Sequence, residues 1–288
     1  MNERAYCIYH SRDLDGWMSA AIVKLINPDI ELIGWDYGQS IPEIEEGRAV
    51  IMVDISFPME EMLDIAKKSK WRLTWIDHHS SAIKAYKEFI GQGESFMSSM
   101  IDINFAACEL TWKYFFKDIQ MPELVRLLGR YDCFGHKGTD EERKVLEFQY
   151  GARQRIYNVK TAHLNLQTAN ISSEYDKNTC NGILTEGRAI YDYLCTEAQQ
   201  IYAMKFNIII DEYKFACVNY PRFNPINFGI NYHEEGYDGF ACFHYQNGQF
   251  TYSLYNDNGL VDCSLLCKAR GGGGHKGAAG FRTNIMVS

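Results

Sequence analysis

Trp71-Arg72-Leu73-Thr74-Trp75-Ile76-Asp77-His78-His79 is a mostly apolar run that breaks off on an acid and two imidazoles. A short run of this kind reads as a buried parallel strand. The same pattern occurs twice upstream, where Arg4 to Tyr9 runs into His10 and Ala49 to Val53 runs into Asp54. In open α/β sheets ligands gather beyond the carboxyl ends of such strands, so one crevice can collect all three groups. Asp13 and Asp15 follow His10, and Asp132 closes a later helix. Together these acids and imidazoles exceed what a two-metal site requires.

The segments between the strands are helical. Trp17, Ala20, Ala21, Ile22 and Leu25 recur at helical spacing within Leu14 to Ile26, and a strand near Ile30 to Trp35 follows, which completes one βαβ unit. Pro58 opens the next helix, where Met59, Met62, Leu63 and Ala66 mark the buried face. Lys67, Lys68 and Lys70 close it near the negative pole of its dipole. From Phe105 to Asp132 the spacing predicts two helices, one carrying Leu110, Trp112, Phe115 and Phe116, the other Leu124, Leu127 and Leu128. Asp140 to Lys205 is polar, Tyr-rich and helix-like.

Beyond Lys205 the pattern changes to strands at Phe206 to Ile210, Lys214 to Tyr220, Gly239 to Tyr245 and Phe250 to Tyr255, with Asn247-Gly248 as a hairpin turn. A helix from Asp262 to Arg270 leads into the run Gly271 to Gly280. Four consecutive glycines beside His275 and Lys276 expose backbone amides that can cradle an anion. The expected organisation is α/β: a parallel-sheet domain with the metal site over 1–138, a helical connector over 139–205 and a smaller α/β domain over 206–288.

With 288 residues, 46% of them hydrophobic, the chain has ample material for a core. No apolar stretch approaches the ~20 residues of a membrane helix, and the N-terminus lacks the pattern of a secretory signal. A cytoplasmic location with no membrane partner is therefore expected. Nine cysteines, an odd number without a CxxC pair, read as reduced thiols. Cys263 and Cys267, upstream of His275, read as core thiols at helical spacing rather than metal ligands. The net charge of −8 argues against tracking long duplex nucleic acid. It leaves room for a small anionic substrate, because bound divalent ions reverse the local sign.

Hydrolysis of a phosphate ester requires an activated water, shielded phosphoryl oxygens and a stabilised leaving oxygen, all of which a metal pair ~3.5–4 Å apart supplies. Ligands dominated by oxygen, with some imidazole, suit manganese or magnesium better than zinc. Asp13 and Asp15 alternate in one loop and can reach different metals, while Gly16 permits close backbone approach. Taken singly, an Asp after a strand is ordinarily a helix cap, His10 a strand-end histidine and Asp132 a cap before Gly135. Their occurrence together at four strand or helix ends favours the metal site. His136, His163, His233 and His244 lack such company and read as core or surface residues, and Trp112 to Phe116 reads as core packing.

At this point the residues resemble the DHH phosphoesterase superfamily, in the subgroup with a C-terminal DHHA1 domain. The resemblance rests on His10-x-x-Asp13-x-Asp15-Gly16, Val53-Asp54-Ile55-Ser56, Asp77-His78-His79, Arg130-Tyr131-Asp132 and the run Gly271 to Gly280, which is similar to the GGGHxxAAG signature. It implies a Rossmann-like DHH domain holding two Mn²⁺ ions, with Mg²⁺ as the alternative, and a substrate-binding DHHA1 domain, with the substrate enclosed between the two. By position, His10 and Asp13 would hold the first metal, and Asp15, His78 and Asp132 the second, with Asp54 bridging them. Asp77 would stand behind the histidines and orient them. His79 would face the scissile phosphate as charge stabiliser or proton donor, and a metal-bridging hydroxide would be the nucleophile. Gly273, Gly274 and His275 would hold a terminal phosphate or the nucleotide, with Arg270 and Lys276 as helpers.

Two departures accompany the resemblance. His10 precedes Asp13 by three residues where many members have four, and Ser253-Leu254-Tyr255 stands where the family often has Ser-x-Arg. The implied activity is hydrolysis of phosphodiester or phosphomonoester bonds in short oligonucleotides or nucleotide-derived phosphates, as in oligoribonuclease-like members. Exopolyphosphatase or pyrophosphatase activity is the alternative within enzymes, and a non-catalytic nucleotide-binding sensor the alternative outside them. Tyr255, Tyr220 and Phe223 are candidate stacking faces for a nucleobase. The expected partner is a small phosphorylated substrate or a short single-stranded oligonucleotide, and the assembly admitted is a homodimer.

Overall fold

The structure, a computed structural model, describes residues 5–170, 172–221 and 223–287. Arg4, which the sequence places in the first strand, and the side chain of His275 lie outside the described residues. The chain divides into two compact units, Met1–Ile190 and Tyr191–Ser288.

The first unit alternates strand and helix through β1 (Tyr6–His10), α1 (Leu14–Ile26), β2 (Glu31–Trp35), β3 (Val50–Val53), α2 (Met59–Lys68), β4 (Leu73–Asp77), α3 (Ser80–Ile90) and β5 (Ser98–Ile101). The strands form one parallel sheet in the order β2-β1-β3-β4-β5. The order reverses between β1 and β3, which opens a crevice at their carboxyl ends. Register places Tyr9 beside Val53 and Val53 beside Ile76. The next residue on each strand is His10, Asp54 or Asp77, so the three form a row on that edge, with neighbouring strands ~4.8 Å apart.

The strands read as unbroken apolar runs because both faces of the sheet are covered. Cys7, Val53 and Ile76 face a core shared with Met18 and Ile22 of α1. Ile8, Met52 and Trp75 face the opposite core, with Met62 of α2 and Tyr86 of α3. Next come α4 (Ala107–Phe115), α5 (Glu123–Asp132), α6 (Glu142–Arg155), α7 (Val159–Ala169) and α8 (Ser173–Ala203). Residues that the sequence assigns to a connector, including Val145, Phe148, Ala162 and Leu166, lie in the same core as α1. Trp112 stacks on Phe116 with ring centroids 4.3 Å apart, as packing rather than as a platform.

The second unit contains β6 (Phe206–Ile210), β7 (Tyr213–Asn219), β8 (Gly239–Gln246), β9 (Gln249–Tyr255), α9 (Cys263–Lys268), β10 (Gly273–His275) and β11 (Ala278–Thr283). Its sheet runs in the order β10-β11-β9-β8-β7-β6. Asn247 and Gly248 both adopt positive φ, as the tight β8–β9 hairpin demands. Cys263 and Cys267 are buried among Tyr252, Leu254 and Phe281, and all nine cysteines are free. No described helix is long and apolar enough to cross a membrane.

Part of the glycine run is an edge strand rather than a loop. Gly273–His275 pairs antiparallel with Ala278–Gly280, forming a hairpin. A side chain at Gly272 would collide with the Gly280 carbonyl, and one at Gly274, with φ of 141°, would strike Ala279. These glycines therefore allow two backbones to close on each other. Glycine's poor strand propensity hid the hairpin from a reading by pattern.

Candidate metal centre

The loop after β1 supplies the first ligands. Asp13 is the N-cap of α1, accepting from the Gly16 amide at 3.0 Å through Oδ1, while its Oδ2 lies 2.9 Å from His10 Nδ1. Gly16 is required because any Cβ there would collide with the His10 carbonyl. Asp54, one residue past β3, adopts φ of 58°, a left-handed conformation that Asp tolerates better than most residues. Its Oδ2 stands 3.6 Å from His10 Nδ1, and its Oδ1 3.5 Å from His78 Nε2.

Asp15 is almost fully buried. Its two oxygens accept from the Ala107 and Cys108 amides at 2.8 and 2.7 Å, so it caps α4, whose own N-cap Ala106 offers no side-chain acceptor. Asp132 closes α5, and the helix end is tied down by Arg130, which donates to Glu109 at 2.6 Å and to the Asn104 carbonyl at 3.1 Å. His78 Nε2 lies 3.2 Å from Asp132, 3.5 Å from Asp54 and 3.7 Å from Asp15. It points among three oxygens and bonds squarely with none. Asp77 Oδ1 accepts from the amides of His78 and His79 and lies 2.7 Å from His79 Nδ1.

Three sets of potential metal-ligating atoms result: His10, Asp13 and Asp54; Asp15, His78 and Asp132; and Asp54, His78 and His79. Asp54 belongs to two of them. Burial raises the Asp15 carboxyl well above the ordinary range, reinforced by Asp54 and Asp132, and burial likewise raises Asp54. Burial pulls the other way on the histidines, but Asp13 and Asp54 outweigh it and push His10 up to about 10. Asp132 and Asp54 do the same to His78, which reaches about 12. Clustered acids that cannot all ionise, and donors that converge without bonding, are what a divalent cation relieves. Buried Asp54 Oδ2 and His78 Nε2 find no hydrogen-bond partner among the described residues, so the donor set fits such an ion.

All eight acids and imidazoles singled out in the sequence come together in this unit. The substrate-binding candidates belong to the second unit: Gly273 and Gly274 lie in β10, Lys276 in the turn after it, and Arg270 pairs with Asp211 at 2.7 Å. Arg12, Asp36 and Glu109 escaped the sequence reading. Asp36 follows β2 as Asp54 follows β3, so the signal was an acid immediately past an apolar strand. His136 is buried with Nδ1 2.9 Å from the Arg130 carbonyl, and His233 pairs with Asp257 at 2.7 Å.

No protein-family model and no curated protein matches the chain. Among solved structures it is similar to a pGpG-specific phosphodiesterase from Vibrio cholerae, with 12% identity and a TM-score of 0.54 over 98% of this chain and 94% of that one. It is also similar to the DHH domain of a protein from a family of ribosomal proteins, with 13% identity and a TM-score of 0.56 over 96% of this chain and 82% of that one. At these identities the likeness is one of architecture. The chain shares its fold with these two structures, the second of which is a DHH domain.

Proposed function

We propose that the chain is a two-metal-dependent phosphoesterase that hydrolyses short oligonucleotides or nucleotide-derived phosphates. The observation that carries this reading is the position of Asp54 between two sets of potential ligands at the carboxyl edge of the sheet. His10 and Asp13 would hold one ion, Asp15, His78 and Asp132 the other, and Asp54 both. When bound, the ions supply Lewis acidity and an activated water. Mn²⁺ and Mg²⁺ both suit this donor set.

The chain's own residues do the rest. Asp77 accepts the Nδ1 proton of His79, which leaves Nε2 as the atom that meets substrate. Asp77 and Asp54 outweigh burial and raise His79 above its ordinary value, so its imidazolium is a proton donor suited to the leaving oxygen. Likeness of fold to a phosphodiesterase of a linear dinucleotide supports a substrate of that size.

The test is release of nucleoside monophosphate from an RNA dinucleotide by metal-stripped protein supplied with Mn²⁺ or Mg²⁺, beside phosphoadenosine phosphate, pyrophosphate and short polyphosphate. Metal-dependent cleavage of the nucleotides is expected. Turnover of the inorganic substrates alone would overturn the substrate class, and no turnover of any of them would overturn the activity.

A further inference from the structure

Arg12 lies in the loop between His10 and Asp13, and its side chain is 72% exposed. It is nevertheless held, because Nε donates to Asp36 Oδ2 at 2.5 Å. Asp36 is itself held: its Oδ1 accepts from the Tyr37 amide at 2.9 Å, and its own amide donates to Gln39 Oε1 at 2.9 Å. The same Oδ1 stands 3.5 Å from His10 Nε2. One carboxylate thus fixes a guanidinium beside a residue of the metal centre. Among the described residues the terminal nitrogens of Arg12 have no hydrogen-bond or ion-pair partner, so the outer side of the fork keeps its donors. Arg130, two residues before Asp132, is instead tied through its Nη2 to Glu109 and the Asn104 carbonyl.

The geometry points to Arg12 as the grip for a phosphate oxygen of the substrate at the rim of the metal centre, with Asp36 as the residue that positions it. The inference rests on the phosphoesterase reading and adds the group that binds the anion. A planar guanidinium presents parallel donors matched to a phosphoryl group, and fixing it beforehand removes part of the ordering cost of binding. Such a grip recognises phosphate without reading a base.

The Mn²⁺-loaded protein is titrated calorimetrically with methylenediphosphonate, which carries two phosphoryl groups and resists hydrolysis. Arg12→Ala should weaken this binding about tenfold, the loss expected of a charged hydrogen-bonded contact. KM for the RNA dinucleotide should rise by a similar factor, more than kcat falls, while Mn²⁺ affinity stays unchanged. Free guanidinium should restore part of the lost binding, Arg12→Lys should fall between, and Asp36→Ala should lose less than Arg12→Ala. Wild-type and Arg12→Ala proteins with equal affinity for the diphosphonate would overturn the grip. A wild type that neither binds the diphosphonate nor cleaves any phosphate ester would overturn the phosphoesterase reading itself, and the grip with it.

Discussion

Asp13 and Asp15 are neighbours in one loop but serve different parts of the fold. The Asp13 side chain is 42% exposed and caps the helix it begins, whereas that of Asp15 is 2% exposed and caps α4, 92 residues further along the chain. The outer half of the candidate metal centre is thus built locally, by one turn and its own cap. The inner half needs the whole unit, because Asp15, His78 and Asp132 arrive from α1, the end of β4 and the end of α5. A ligand pair can be set by a motif, but a set drawn from three separate elements has to be set by packing.

Asp54 joins the two halves, so its loss should do the most damage. Asp54→Asn keeps a residue that tolerates φ of 58°, whereas Ala would add about 1 kcal/mol of strain there. Calorimetry should show both Mn²⁺ sites weakened in Asp54→Asn, and turnover should fall well beyond the roughly 10–100-fold cost of removing a partner behind the ligands. Retention of one full-affinity site would separate the halves and remove Asp54 from the bridge. Asp77→Asn belongs to that milder class: kcat should drop by roughly 10–100-fold with the fold preserved. Unchanged turnover would mean that the orientation of His79 is immaterial.

Asp13→Ala and Asp15→Ala test the contrast itself. Asp13→Ala removes a partly exposed helix cap worth about 1 kcal/mol, whereas the cap lost in Asp15→Ala strands two buried amides, at about 1–3 kcal/mol each. In saturating Mn²⁺ the urea midpoint should therefore fall further for Asp15→Ala, and equal midpoints would erase the distinction between outer and inner halves. The smallest effect is on protons. In metal-free protein His10 and His78 stay protonated up to about 10 and about 12, and a metal must displace those protons. Metal affinity should accordingly rise with pH through the neutral range. Calorimetry at pH 7 in two buffers of different ionisation enthalpy should register net proton release, and its absence would mean that the imidazoles are not ligands.

The first sheet was legible because its strands are covered on both faces and end on acids or imidazoles, a pattern that survives without any partner in view. Ser98–Ile101 escaped because two of its residues are exposed serines and only two are apolar. Asp36 escaped because an acid after a strand is ordinarily a cap, and only folding brings it to His10. Glu109 reads as a helix residue until Gly129 and Arg130 pack against it. The hairpin of β10 and β11 was hidden for the opposite reason, since the residues that permit close strands carry no side-chain pattern.

Anomalous diffraction at the manganese edge, from crystals grown with Mn²⁺, is the most direct test of a shared two-metal centre. The expected result is two peaks about 3.5–4 Å apart, with Asp54 between them, His10 and Asp13 on one and Asp15, His78 and Asp132 on the other. A single peak, or two peaks that do not share Asp54, would contradict it.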